Sequence, residues 1–277
     1  MNGARVIRYS QAFANPEGHR PMFTGEFTGD GLLDIVWYRD GDRRVVLGKS
    51  DGSDFQTMPL GQTDGKAPLA AFKCYHGYDR DTLFLYDHAA DKNTYWRIGD
   101  DRISGPSFAG SNNPTQPVGW RTLVAVGNFD SHSRSDTVVA STTDRTLLAR
   151  GTAVLSSRIG PVAAGWAVVG NGDIDGDEGS DLILENAVGI AYWIMHDAMP
   201  VRYSPGFLKP SGYRRVAMDD YNGDGKLDIV WARESDRSRL LWQGDGEGFV
   251  QAPTGNYNAG WRVIGQDSAI QYPVNPP

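Results

Sequence analysis

The chain of 277 residues has a single cysteine, Cys74, so no disulfide framework holds it together. It has no run approaching the ~18 consecutive apolar residues that a membrane-spanning helix requires. Its first residues, MNGARVIRYSQ, lack the apolar segment of a signal peptide, as expected of a cytoplasmic chain or of one whose leader was removed. An excess of positive charge is also absent: 34 acidic residues outnumber 27 Lys and Arg, and the net charge of −7 argues against the basic surface of a nucleic-acid-binding protein.

Glutamate is rare as well, with 6 Glu against 28 Asp, whereas the 34 Gly exceed the average share of about 7%. Asp competes with the helical backbone for hydrogen bonds and favours turns, so this composition argues against a helix bundle. A hydrophobic content of 40% excludes a disordered chain. Asp and Gly together are also typical of loops that bind metal ions through oxygen ligands.

A phrase rich in Asp and Gly recurs along the chain and ends each time in an Asp followed by apolar residues. The clearest copies read EFTGDGLLDIVW, DIDGDEGSDLIL and DYNGDGKLDIVW, and weaker copies read NFDSHSRSDTVV and CYHGYDRDTLFL. We number the nine-residue loops I to V in chain order: 26–34, 73–81, 128–136, 173–181 and 220–228. A glycine precedes each loop by eight or nine residues, at Gly18, Gly65, Gly119, Gly165 and Gly212. The segment that begins with this glycine returns once more at Gly260, with no acidic loop after it.

Each repeat contains short β-branched and aromatic segments between turn residues, which is typical of β-strands. A repeat of 40–50 residues with about four strands is the unit of a β-propeller blade. The sequence therefore predicts an all-β protein, a six-bladed β-propeller in one domain over 1–277. Its predicted repeats are about 18–64, 65–118, 119–164, 165–211 and 212–259, with a closing blade of 260–277 plus 1–17. Seven blades are an alternative if the repeat is shorter, and an open solenoid or two sandwiches are further alternatives.

The pattern D-x-D-x-D-G-x-x-D offers oxygen ligands at positions 1, 3, 5 and 9 and a carbonyl at position 7, which suits Ca²⁺. We expect about three structural Ca²⁺ sites. Their predicted ligands are Glu26, Thr28, Asp30, Leu32 and Asp34; Asp173, Asp175, Asp177, Gly179 and Asp181; and Asp220, Asn222, Asp224, Lys226 and Asp228. Loop III, with Asn128, Asp130 and Asp136, is a poorer candidate because His132 is a poor ligand for Ca²⁺. We expect no metal in loop II.

These repeats resemble the FG-GAP, or VCBS-type, repeats of integrin-α-like β-propellers. The nearest copies of the phrase G-W-x(3)-G-x-G-D-F-D-G-D-G-x-x-D-I-x-W are Trp166–Leu184 and Tyr213–Trp231. The resemblance implies calcium in the loops between the first two strands of some blades. It leaves function open, because the family includes integrin heads, lectins, toxin-complex shells and domains fused to enzymes. Calcium loops favour an extracellular or periplasmic location, with a cytoplasmic one as the alternative.

Three function classes remain open. The first is a calcium-stabilised binding module, lectin-like or protein-binding, for a carbohydrate or protein ligand. Its candidate ligand-binding residues are Trp96, Trp193 and Trp242, whereas the aromatics that recur once per repeat are interpreted as packing between blades. The second is a small propeller enzyme, a lyase or a biosynthetic cyclase, with a pocket at the central channel. Its acid–base candidates are His76, Tyr78, Arg80, His88 and His196. The third is a shell component of a toxin or secretion complex.

Overall fold

A computed structural model describes most of the chain as β-strands joined by tight turns. The described residues are 13–63, 68–73, 81–87, 92–98, 103–107, 120–130, 136–141, 143–150, 157–261 and 263. Within these ranges the chain is all-β. No helix in the described part is long and apolar enough to cross a membrane.

The strands form five antiparallel sheets, each a meander in which consecutive strands are neighbours. Sheet I comprises β1 (Arg20–Gly25), β2 (Asp34–Arg39), β3 (Arg44–Ser50) and β4 (Phe55–Gln62). Sheet II comprises β5 (Pro68–Lys73), β6 (Asp81–Asp87), β7 (Lys92–Ile98) and β8 (Ile103–Ser107). Sheet III comprises β9 (Trp120–Gly127), β10 (Asp136–Ser141), β11 (Thr146–Arg150) and β12 (Ser157–Pro161).

The last two sheets follow the same plan. Sheet IV comprises β13 (Ala167–Gly172), β14 (Asp181–Glu185), β15 (Gly189–His196), β16 (Met199–Tyr203) and the short β17 (Phe207–Leu208), which pairs with β15. Sheet V comprises β18 (Arg214–Asp219), β19 (Asp228–Arg233), β20 (Ser238–Gly244) and β21 (Phe249–Asn256). The second strand of every sheet begins at the last aspartate of its loop. The extent of the single domain beyond these sheets stays a prediction.

The first strands of the sheets pack against one another in chain order, β1 against β5, β5 against β9 and β9 against β13. The arrangement is propeller-like, with four blades in a ring. Sheet V follows sheet IV and is joined to it by a bond from the Leu227 N–H to the Asp173 carbonyl oxygen at 2.6 Å.

The sequence prediction of six blades, with seven as the alternative, is therefore wrong. The predicted number of blades was the chain length divided by the repeat length. A sheet belongs to the ring, however, only if its first strand packs against the first strands of other sheets. Most of the predicted closing blade, 260–277 plus 1–17, lies outside the described residues.

Hydrophobic cores lie between neighbouring sheets. One core joins sheets I and II through side chains such as Phe27, Leu47 and Leu83. Two further cores join sheet III to sheet IV and sheet IV to sheet V. The second strands are buried along almost their whole length, as in the burial of Asp34–Tyr38 in β2. A strand with neighbouring sheets on both faces needs apolar side chains at every position, which explains the continuous D-I-V-W segments.

A tight turn precedes the first strand of several sheets and accounts for the recurring glycine. The glycines of four such turns have positive φ: 70° at Gly18, 84° at Gly165, 78° at Gly212 and 81° at Gly260. In each turn the residue after the glycine donates its N–H to the carbonyl three residues earlier, at 3.0 to 3.2 Å. This geometry requires a left-handed third residue, which glycine adopts without a steric cost.

Candidate metal-binding loops

The acidic loops occupy equivalent places in their sheets. Loop I joins β1 to β2, loop IV joins β13 to β14, and loop V joins β18 to β19. Because every first strand runs in the same sense from turn to loop, the described loops lie at the same end of their sheets. The interior of loop III (131–135) and most of loop II (74–80) lie outside the described residues.

The last aspartate of each complete loop is buried at the start of the second strand, where it is hydrogen-bonded to its own loop and to the third strand. Asp34, Asp181 and Asp228 are each 0% exposed. Their Oδ2 atoms accept hydrogen bonds from the second residue of the same loop, at 3.1 Å from Phe27, 2.8 Å from Ile174 and 3.0 Å from Tyr221. Their Oδ1 atoms accept hydrogen bonds from the third strand, at 2.9 Å from Ser50, 2.8 Å from Met195 and 3.0 Å from Gly244.

These contacts give the last aspartate a structural role that the metal-ligand assignment did not include. Burial, together with the smaller effect of the nearby Asp175 and Asp177, raises the pKa of Asp181 to about 7. Burial likewise raises the pKa of Asp228 to about 6, with Asp224 and Asp220 adding to the effect. The backbone N–H groups oppose both shifts without cancelling them. A bound cation would stabilise the ionised form of these carboxyl groups.

Among the loops that the structure describes completely, loop IV has the densest group of carboxylates. Ligand oxygens of Asp173, Asp175 and Asp177 all lie within 4.8 Å of one another. The ligands of one Ca²⁺ ion, each at 2.3–2.6 Å, are at most about 5 Å apart, so this spacing fits a single ion. Backbone N–H groups hold two of the three side chains: Asp173 accepts from Gly176 at 2.6 Å and Asp177 accepts from Gly179 at 2.7 Å.

Asp175 differs from its two neighbours in this loop. Its Oδ1 atom is buried and accepts no hydrogen bond from any residue that the structure describes. A buried oxygen of this kind costs free energy unless a ligand satisfies it. The residues of loop IV therefore fit a Ca²⁺ ion in both the spacing and the chemistry of their oxygens.

Loop V has a similar backbone but satisfies more of its own polar atoms. Asp220 accepts N–H bonds from Gly223 at 2.7 Å and from Gly225 at 2.8 Å. The amide of Asn222 replaces the carboxylate at position 3, donates from Nδ2 to Asp224 Oδ2 at 3.0 Å and accepts the Asp224 N–H at 2.8 Å. The Asn222 oxygen keeps a second lone pair for an ion, but unlike the Asp175 carboxylate it carries no negative charge.

Loop I carries a cation of its own. Glu26 Oε1 accepts the N–H groups of Gly29 and Asp30 and so organises the loop. The Lys49 ammonium from β3 lies 3.4 Å from Asp30 Oδ2. Burial acts to raise the pKa of Asp30, but hydrogen bonds from Leu32 and Lys49 outweigh it, so this pKa is lowered. Thr28, at position 3, is buried, and its Oγ1 has no hydrogen-bond partner among the described residues.

Loop III is described only at its two ends. Asp136 is buried and accepts the N–H groups of Phe129 at 2.9 Å and Asp130 at 3.0 Å. Burial, together with the smaller effect of the neighbouring Asp130 carboxylate, raises its pKa to about 7. The Oδ1 atoms of Asn128 and Asp136 are buried and have no hydrogen-bond partner within the described ranges. Metal binding by this loop stays a prediction.

Consecutive loops are hydrogen-bonded to each other across the sheet boundaries. The carbonyl oxygen of the first loop residue accepts an N–H from the next sheet's loop, Asp81 to Glu26 at 2.5 Å, Ser180 to Asn128 at 2.6 Å and Leu227 to Asp173 at 2.6 Å. A Cβ atom on the preceding residue would come within 2.4 to 2.5 Å of that neighbouring loop at Gly25, Gly127 and Gly172. A glycine directly before a loop is thus a sequence signal for contact between sheets, which the repeat analysis did not use.

The three tryptophans predicted to bind a ligand differ in how deeply they are buried. Trp96 and Trp242 are only 9% and 6% exposed and belong to the cores between sheets. Trp193 is half-buried, and its ring meets Tyr203 edge-on with centroids 5.2 Å apart. Among the catalytic candidates, His196 is exposed at the end of β15, with Nδ1 3.6 Å from Asp197. His76, Tyr78, Arg80 and His88 lie outside the described residues.

Comparison with known proteins identifies structural similarities at low sequence identity. No family model and no curated protein sequence matches the chain. The chain is similar to selenomethionine-substituted virginiamycin B lyase from Staphylococcus aureus, with 10% identity and a TM-score of 0.44 over 87% of this chain and 72% of that one. It is also similar to the Nup133 β-propeller domain of Vanderwaltozyma polyspora, with 7% identity and a TM-score of 0.41 over 91% of this chain and 78% of that one.

Proposed function

We propose that this chain is a calcium-stabilised β-propeller binding module of the FG-GAP or VCBS, integrin-α-like type, lectin-like or protein-binding. The observation that carries the calcium part is loop IV, where the oxygens of Asp173, Asp175 and Asp177 lie within 4.8 Å of one another. The buried and unpaired Oδ1 of Asp175 supports a ligand at this point. Asp181 completes the proposed ligand set, together with the carbonyl oxygen of Gly179.

The proposed role of the ion is structural. Loop IV donates to loop III and accepts from loop V through backbone hydrogen bonds, so an ion that orders this loop also orders two sheet boundaries. At a free Ca²⁺ concentration about 100 times the Kd, binding adds about 2.7 kcal/mol to the free energy of unfolding. A site of this kind suits a compartment with millimolar Ca²⁺, so we propose that the protein works outside the cytoplasm.

The proposed ligand surface is the outermost strand of sheet IV. On β16 Met199 is 42% exposed, Val201 is 63% exposed and Tyr203 is 59% exposed. The ring of Trp193 contacts that of Tyr203 edge-on and adds a second aromatic side chain. Exposed apolar and aromatic side chains gathered on one short strand are typical of contact surfaces for proteins and for sugar rings. The proposed ligand is therefore a carbohydrate or a protein.

Calorimetry of the chelator-treated chain tests the calcium part. We expect Ca²⁺ to bind the wild type, and we expect Asp175→Asn to lose about one ion per chain. Asp197→Asn is the matched control, because Asp197 is an exposed aspartate outside the loops and asparagine also tolerates its φ of 49°. A wild type that takes up no Ca²⁺, or an Asp175→Asn variant with the wild-type stoichiometry, would refute the assignment.

Glycan arrays and purified candidate protein ligands test the ligand surface. We expect Tyr203→Ser to weaken binding at least tenfold. Val250→Ser should leave binding unchanged, because Val250 is equally exposed, at 58%, but lies on the outermost strand of sheet V. Equal affinity of the two variants would reject β16 as the ligand surface.

A further inference from the structure

Lys49 distinguishes loop I from the other complete loops. It precedes Ser50, whose N–H is hydrogen-bonded to Asp34, and its side chain reaches back to the loop. The residues at the same place in sheets IV and V, directly before the partners of Asp181 and Asp228, are Ile194 and Gln243. A basic side chain at this position therefore occurs in only one of these three sheets.

The contact is directed at the oxygen that a metal ion would use. Asp30 Oδ1 accepts the Leu32 N–H at 3.0 Å, and its other oxygen, Oδ2, faces the Lys49 ammonium. Both side chains are partly enclosed, at 33% exposed for Lys49 and 30% for Asp30. An ammonium near a partly enclosed carboxylate satisfies part of the charge that would otherwise attract a cation.

Loop IV lacks an equivalent cation among the described contacts. None of the ion pairs between described residues includes Asp173, Asp175 or Asp177. Lys226 crosses above Gly176, but its charge lowers the pKa of Asp245, in a turn of sheet V.

We propose that Lys49 is a tethered cation that takes the place of the divalent ion in loop I. In the intact protein loop I then binds no Ca²⁺, and the ammonium fulfils the structural role that Ca²⁺ has in loop IV. The inference rests on the proposed function only in its premise that loops of this type bind Ca²⁺. It reduces the three sites expected from the sequence to loops IV and V.

The test is calorimetric titration of the full chain with Ca²⁺ after chelator treatment. Lys49→Gln installs the residue that sheet V carries at this position, and Lys49→Arg is the matched control that keeps the positive charge. We expect Lys49→Gln to bind one Ca²⁺ ion more than the wild type and Lys49→Arg to bind no more. Adding Asp30→Asn to Lys49→Gln should remove the gained ion. Circular dichroism establishes that each variant is folded.

Equal stoichiometry of Lys49→Gln and the wild type overturns the proposal. So does a loss of wild-type Ca²⁺ on Asp30→Asn substitution alone, because loop I would then already hold an ion. The calcium assignment in loop IV fails separately, when Asp175→Asn keeps the wild-type stoichiometry. A gain in Lys49→Gln without any binding by the wild type supports the tethered cation and rejects the ion in loop IV.

Discussion

Loops IV and V share a backbone conformation and differ in how their oxygens are satisfied. In both, the first aspartate accepts backbone N–H bonds and the last aspartate ties the loop to the third strand. At position 3 loop IV has Asp175 with a buried unpaired oxygen, whereas loop V has Asn222 bonded to Asp224. The shape of such a loop and its affinity for an ion are therefore separate properties. The shape comes from side-chain-to-backbone bonds, and the affinity comes from the oxygens that those bonds leave over.

The largest expected effect concerns the shape. Asp181→Ala leaves the N–H groups of Ile174 and Met195 without their acceptor, and each buried unpaired group costs about 1–3 kcal/mol. We expect the free energy of unfolding to fall by about 2–5 kcal/mol with or without Ca²⁺, and Asp228→Ala to behave alike. Urea denaturation in Ca²⁺ and in EDTA measures it, with Asp197→Asn as the control. A loss confined to the Ca²⁺ samples would make Asp181 a ligand only.

The second effect concerns affinity for the ion. EDTA should lower the Tm of the wild type by several degrees, since an ion at about 100 times its Kd contributes about 2.7 kcal/mol. Asp175→Asn should lose most of this response, whereas Asn222→Asp should enlarge it, because the substitution gives loop V the carboxylate of loop IV. Thermal unfolding by circular dichroism with and without Ca²⁺ is the measurement. If Asn222→Asp reduced the difference in Tm with and without Ca²⁺, the residue at position 3 would not explain the affinity for Ca²⁺.

The sequence predicted the repeating strands and the place of the loops because both depend on local signals. Apolar β-branched residues, turn glycines and spaced aspartates all act within about ten residues of one another. The number of blades in the ring and the Lys49 contact depend on groups far apart in the chain, and no local pattern reports them. The structural role of Asp181 as a buried hydrogen-bond acceptor was also missed, since a buried acceptor and a predicted metal ligand have the same residue type at the same position.

A third effect is on pH dependence in the absence of metal. The folded-state pKa values of Asp181 and Asp228 are raised to about 7 and about 6 from an ordinary value of 3.8. Between the unfolded-state pKa of 3.8 and these raised values, the folded state binds more protons than the unfolded state. In EDTA the free energy of unfolding should therefore fall as the pH rises from about 4 to about 7. Saturating Ca²⁺ should remove this fall. Urea denaturation across that range tests it, and a rise with pH in EDTA would contradict it.

The smallest expected effect concerns position 6, where the two loops differ in backbone strain. Glu178 has a φ of 67° in loop IV, and Gly225 has a φ of 84° in loop V. A non-glycine residue in this left-handed region costs about 1–2 kcal/mol. Glu178→Gly should therefore raise the free energy of unfolding by about 1 kcal/mol, and Gly225→Glu should lower it by a similar amount. Glu178→Ala is the matched control, because it removes the carboxylate and keeps the strain. If alanine stabilised loop IV as much as glycine does, charge repulsion among the loop carboxylates, and not the backbone, would account for the gain.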